Sequence, residues 1–217
     1  MAKRSEKASG IIMNILEYDR MADTVFSPIY DVIAEHIVQK AGISEGVLVD
    51  IGCGGGHLGL TLLQKTSMRG YLVDVDEHAV EIAGKRATQW NLSDRAKTMV
   101  QDVHNMQFPD GFADLVVSRG SFGFWKTPEI AFSEIWRILA PGGTAYVGGG
   151  LGNRQTQAVI REKLNVLDPE WPASMKRKMQ TLSTPAYREI FENLHAAYEI
   201  IENEDSGRWF ILRKTST

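Results

Sequence analysis

Cysteine is nearly absent: Cys53 stands alone among 217 residues, so no intrachain disulfide can form and a reducing, cytoplasmic compartment is expected. No apolar run approaches the ~18 residues that cross a bilayer. A secretory leader is not expected either, since Met1-Ala-Lys-Arg-Ser-Glu-Lys is basic but Ile11, Ile12 and Ile15 lie among polar residues. Charge of one sign is also scarce. A net charge of -3 gives no general attraction to polyanions or anionic lipid, so neither nucleic acid nor a membrane is an expected partner. The triplet Lys176-Arg177-Lys178 is short and reads as a solvated helix face. Metal-ligand spacing is missing too: His36, His78 and His195 fall within or at the start of predicted helices without partners, and no metal is expected. What remains is an ordinary globular composition, 43% hydrophobic and 24% charged, at a length that suits one domain.

Against these absences stands one concentrated feature, the run Val47-Leu-Val-Asp50-Ile-Gly52-Cys-Gly54-Gly55-Gly56-His57-Leu-Gly59. Val47 to Ile51 reads as a central parallel strand, and Leu58, Leu60, Leu62 and Leu63 then change the pattern toward a helix. Glycines between the two let the backbone turn tightly and approach a ligand seated on the helix N-terminus. Two registers coexist. Gly54, Gly56 and Gly59 satisfy the dinucleotide fingerprint, but that fingerprint begins directly at a strand end, whereas Gly54 lies three residues beyond Ile51. Read from Asp50, the string is Asp-x-Gly-x-Gly-x-Gly.

Later segments separate the registers. Tyr71-Leu-Val73 ends in Asp74, about 20 residues past the glycines, where an acid can accept hydrogen bonds from ribose hydroxyls of either cofactor. Thr98-Met-Val100-Gln-Asp102-Val103 ends in a second acid that a dinucleotide enzyme does not require, and no Tyr-x-x-x-Lys pair exists in the chain. Phe112-Ala-Asp114-Leu-Val-Val117-Ser118-Arg119 and Arg137-Ile-Leu139-Ala-Pro141-Gly142-Gly143 follow in order. Together, from Val47 to Gly150, these blocks resemble the class I S-adenosylmethionine-dependent methyltransferases, of the broad type that includes quinone-biosynthesis enzymes.

The resemblance implies an α/β fold with a Rossmann-like seven-stranded mixed sheet, mostly parallel, ending in an antiparallel hairpin, with helices on both faces. It implies S-adenosylmethionine as cofactor and S-adenosylhomocysteine as product. By the same resemblance, Asp50 and the backbone of Gly52, Cys53, Gly54 and Gly56 would hold the amino-acid end. Asp74, with Val75 beside it, would hold the ribose, Asp102 with Val103 the adenine, and Ser118 and Arg119 would lie near the methionine moiety. The Asn/Asp-Pro-Pro-aromatic block that accompanies base methylation is replaced by Ser118-Arg119-Gly120-Ser121, and the acidic cluster of metal-dependent O-methyltransferases is missing. A small-molecule acceptor is therefore expected. An NAD-dependent oxidoreductase and a non-catalytic S-adenosylmethionine-binding protein are the rival readings.

Four segments are expected within a single domain: an N-terminal helical cap at 1–45, a cofactor-binding core at 46–150, a helical insertion or substrate cover at 151–196 and a terminal hairpin at 197–217. Ser27-Pro28 reads as an N-cap followed by proline in the first helical position, and Thr127-Pro128 and Thr184-Pro185 open two further helices. Several residues keep two readings. Asp50 either bonds the backbone of its own loop or touches the cofactor. Cys53 reads as a packing residue more readily than a nucleophile, and His104 as a loop residue more readily than a base. His57 needs no chemical role at a helix start. Tyr18 and Tyr30 could cap the cofactor or pack as ordinary half-buried rings, and Phe124 and Trp125 could line the methyl-donor face or belong to the core. The bare run Gly148-Gly-Gly150-Leu-Gly152 could admit substrate or form a flexible exit.

Overall fold

The computed structural model describes residues 15–167, 170 and 181–216. Helices α1 (Ile15–Thr24) and α2 (Ser27–Ala41) precede β1 (Val47–Ile51), α3 (His57–Lys65), β2 (Arg69–Asp74), α4 (Glu77–Gln89), β3 (Ala96–Val100) and β4 (Ala113–Arg119). A 3-10 turn at Phe122–Phe124 leads to α5 (Pro128–Ile138), β5 (Leu139–Gly149), α6 (Arg154–Leu167), α7 (Thr184–Asn193), β6 (Ala197–Asn203) and β7 (Gly207–Arg213). Pro169, Pro172 and the triplet Lys176-Arg177-Lys178 lie outside the described residues. No helix among those described is long and apolar enough to cross a membrane.

The sheet has seven strands in the order β3-β2-β1-β4-β5-β7-β6, parallel except where β7 pairs antiparallel with β5 and β6. The parallel strands carry buried runs because helices cover both faces. Alternation along each strand divides the core in two. Leu48, Leu115, Val117, Trp209 and Ile211 pack on one face with residues of α2, α3 and α6. Val49, Val116, Phe210 and Leu212 pack on the other with α5 and α7. The chain runs from β1 to β2 and β3 on one side and then crosses back to β4 on the other side of β1, so the crevice beyond the carboxyl ends of β1 and β4 is the switch point where open α/β sheets bind ligands.

Three local expectations need correction. The N-cap of α2 is Phe26, not Ser27, and no side chain caps it; Phe26 is wholly buried, and its N–H bonds to Met21 O, so packing and the tight α1–α2 turn set this boundary. Pro141-Gly142-Gly143 does not merely stop α5. The helix already ends at Ile138, and the triplet forms a bulge inside β5, where pairing shifts from Ala113↔Leu139 to Leu115↔Thr144. His195 is not helical but sits after α7 with φ +50.

The bare end of β5 has a packing explanation. A Cβ on Gly148 or Gly150 would collide with the backbone of Arg208 or Ser206, and one on Gly207 with that of Gly149. The close approach of the β6–β7 turn therefore demands glycine on both sides.

Candidate cofactor site

Glycine loop and β2 meet through two acids. Asp50, buried near the end of β1, accepts the Gly59 N–H from α3 at 2.9 Å, and a Cβ on Gly59 would press against that carboxylate. Asp74 closes β2 and accepts the N–H of Gly54 at 2.9 Å and that of Asp76 at 3.1 Å. The loop winds through positive φ at Gly52, Gly54 and Gly56, and a Cβ on Gly52 would strike Ser121, so Gly52 tolerates no larger residue without rearrangement.

Asp50, Gly52, Cys53, Gly55, Leu58 and Arg119, with Tyr18, Tyr30 and His57, line a small recess at the switch point. Burial pushes the Asp50 carboxyl up to about 7, and the nearby Asp74 charge adds to this against the Gly59 bond. Burial, with the charges of Asp50 and Asp74, also raises the Cys53 thiol, which leaves it protonated and a poor nucleophile. An ammonium group beside Asp50 would relieve its desolvated carboxylate, and Tyr18 and Tyr30 present aromatic faces beside the glycine backbone.

Other expected residues lie around the recess. Ser118 is wholly buried and its hydroxyl meets that of Ser121 at 2.6 Å, while Ser121 Oγ donates to Ile51 O at 3.3 Å. Ser121 thus ties the segment after β4 to the end of β1, and Ser118 supports it without lining the recess. Asp102 and Val103 follow β3, two strands from β1 and so about 10 Å along the sheet edge. Asp102 Oδ1 accepts both the backbone N–H of His104, at 3.0 Å, and its ring Nδ1, at 2.5 Å. The backbone N–H of His104 is the main cause holding this carboxyl below its ordinary range. Val103 is buried, whereas Val75, just after β2, keeps 65% of its surface exposed. Asp114 has a structural use: its carboxylate accepts the Val47 N–H and ties the start of β4 to β1.

A clasp that motif reading does not reveal closes the site. Arg86 of α4 pairs bidentately with Asp19 at 3.0 Å, reaches Asp23 at 3.1 Å and donates to Gly55 O. Nε2 of His57 meets Asp23 at 2.8 Å, and its ring stacks on Tyr30 at 4.8 Å. Burial lowers the basicity of His57, opposed by Asp23. Ala22 is the buried residue of α1, so charged contacts, more than apolar burial, hold that helix over the loop. The available signal was Arg86 on the apolar stripe of Ala79, Ala83 and Ala87, together with two acids spaced i, i+4 on α1.

Comparison with known proteins shows the family. The family described as a methyltransferase domain matches residues 49–147. A Methanococcus maripaludis protein assigned as an S-adenosyl-L-methionine-dependent methyltransferase superposes with a TM-score of 0.86 at 34% identity, over 96% of this chain and 99% of that one. The ubiquinone/menaquinone biosynthesis C-methyltransferase UbiE of Hydrogenovibrio crunogenus is 26% identical over 153 residues, 68% of this chain and 59% of that protein. The sterol 24-C-methyltransferase of Aspergillus fumigatus is 30% identical over 120 residues, 54% of this chain. The chain thus spans 32% of the length of the sterol enzyme and 59% of that of the quinone enzyme. The chain belongs to the class I S-adenosylmethionine-dependent methyltransferases, and its cofactor is S-adenosylmethionine.

Proposed function

We propose that this chain transfers a methyl group from S-adenosylmethionine to a small organic acceptor, and that Asp50, Asp74 and Asp102 receive the cofactor at three successive strand ends. When bound, the cofactor supplies a methyl group already activated on a sulfonium for in-line displacement. The protein's task is then alignment, which can contribute on the order of 7 to 11 kcal/mol when the reacting groups are well placed. Asp50 and the glycine backbone orient the amino-acid end. Asp74 positions the ribose, and Asp102 accepts the adenine amino group. Tyr18, held over Gly54 by the α1 clasp, excludes water from the recess.

The observation that carries this reading is the glycine segment at the switch point held by two acids, Gly54 N–H by Asp74 and Gly59 N–H by Asp50. Support for a small acceptor comes from the quinone and sterol methyltransferases among the relatives. The lack of a basic, aromatic-studded stripe in the sequence points the same way. Incubation with S-adenosylmethionine and a panel of quinols, sterols and small carboxylic acids tests it. Acceptor-dependent release of S-adenosylhomocysteine is expected. Tight cofactor binding with no release over that panel would favour the non-catalytic reading.

A further inference from the structure

Arg119 differs from the other arginines around it. Arg86 pairs with Asp19 and Asp23, Arg137 with Glu134 and Asp110, and Arg208 with Glu202. Arg95 is satisfied by the carbonyls of Leu63, Thr66 and Met68. Arg119 forms no ion pair with any described residue. Its guanidinium carbon lies 5.5 Å from the Phe26 ring centroid and 5.4 Å from that of Tyr30. Nη2 reaches Gly150 O at a long 3.3 Å, and Nε is buried with no hydrogen-bond partner.

A buried donor without an acceptor is destabilising, and a charged one more so. Two aromatic faces hold the guanidinium in place, so little rotamer freedom is left to lose when a ligand arrives. Its planar fork matches a carboxylate or a comparable oxyanion. The geometry points to Arg119 as an oxyanion receptor in the cofactor recess, completing its hydrogen bonds with a carboxylate or similar anion that the bound ligands bring.

The inference rests on the proposed reading that S-adenosylmethionine occupies this recess. Two molecules can present the anion. The methionine end of the cofactor is a zwitterion, and the recess holds opposite charges at Asp50 and Arg119. An anionic acceptor beside a guanidinium would also need no side-chain base to deprotonate it. That agrees with the engaged state of His57, whose Nε2 bonds Asp23 while Nδ1 faces Asp19 at 4.0 Å.

The test titrates wild-type protein and Arg119→Gln with S-adenosylhomocysteine and with 5′-methylthioadenosine, which lacks the amino-acid end. If the cofactor supplies the carboxylate, the variant binds S-adenosylhomocysteine roughly ten- to a hundredfold more weakly and 5′-methylthioadenosine as before. If the acceptor supplies it, both affinities stay unchanged. Benzoate or inorganic phosphate then raises the melting temperature of the S-adenosylhomocysteine-saturated wild type, but not of the variant. Arg119→Lys, which keeps the charge without the planar fork, should recover part of whichever effect is seen. Equal loss for both nucleosides would overturn the inference, because it signals a collapsed recess. So would unchanged affinities together with the same response of both proteins to benzoate and phosphate. Failure of the wild type to bind either nucleoside would instead overturn the underlying assignment of the recess.

Discussion

Asp74 Oδ2 accepts the backbone N–H of Gly54 at 2.9 Å, so the acid that ends β2 also holds the glycine loop that follows β1. Removing the carboxylate should therefore act twice. Asp74→Ala is expected to weaken S-adenosylhomocysteine binding roughly ten- to a hundredfold and to lower stability by about 1 to 3 kcal/mol, from the unsatisfied loop donor. Asp74→Asn retains an acceptor oxygen and should recover much of the stability. Calorimetric titration and denaturant unfolding check the two effects. An Asp74→Ala variant that binds as tightly as wild type removes Asp74 from the ribose site.

Asp50 makes the ligand-free fold sensitive to pH. Burial disfavours the charged form and pushes its folded carboxyl up to about 7, against about 3.9 for a free aspartate. The folded state therefore holds a proton that the unfolded state releases. Stability from this group is fully present below about pH 4 and is lost as pH rises through 7, by on the order of 4 kcal/mol in all. Asp50→Asn should flatten that slope and melt higher than wild type at pH 8 without cofactor. Thermal melts between pH 5 and 8 provide the measurement, and parallel slopes for the two proteins would contradict it.

Breaking the clasp should be costly. Arg86→Met leaves the partly buried Asp19 without its cation and frees the Gly55 carbonyl. Loss of one partner from a buried pair typically costs about 3 to 5 kcal/mol, and the lower end applies here because Asp23 is half exposed. Asp19→Asn added to Arg86→Met should restore part of the loss, since the stranded charge is then removed. Urea unfolding of both variants decides this; additive losses in the double variant would count against the clasp.

Adenine selectivity tests Asp102. With Oδ1 engaged by His104, the other oxygen is left to accept from an exocyclic amino group. Wild type should prefer S-adenosylhomocysteine over its inosine counterpart, whose carbonyl oxygen would face the carboxylate. Asp102→Asn offers an amide donor and should narrow the preference at least severalfold, on the scale of one hydrogen bond. Competition binding of the two nucleosides measures the ratio, and an unchanged ratio would place the adenine elsewhere.

The sheet was readable from the chain because its cues are local. Apolar runs at Val47–Val49 and Tyr71–Val73 mark strands of the parallel sheet, and the closing hairpin expected at 197–217 is formed by β6 and β7. Thr127-Pro128 signals the start of α5 for the same reason. What was not readable depends on residues far apart in sequence. Arg86 meets Asp19 across 67 positions, and no periodicity within α1 or α4 names the partner. Ser27 offers a capping hydroxyl, yet the burial of Phe26 decides where α2 begins. The glycines of β5 advertise open backbone, and only the opposing β6–β7 turn shows that the space is filled. Candidate site residues show the same division: Asp50 and Asp74 lie at the ends of β1 and β2 and Asp102 follows β3, positions the sequence marks, whereas the burial of Ser118 beside Ser121 emerges only from packing.

A crystal structure of the protein with S-adenosylhomocysteine tests the central claim most directly. The expected result places the homocysteine end against Asp50 and the Gly52–Gly54 backbone, the ribose hydroxyls on Asp74 and the adenine amino group on Asp102. Ligand density in the recess that leaves Asp74 and Asp102 without contact to the nucleoside, or density outside the recess altogether, would contradict it.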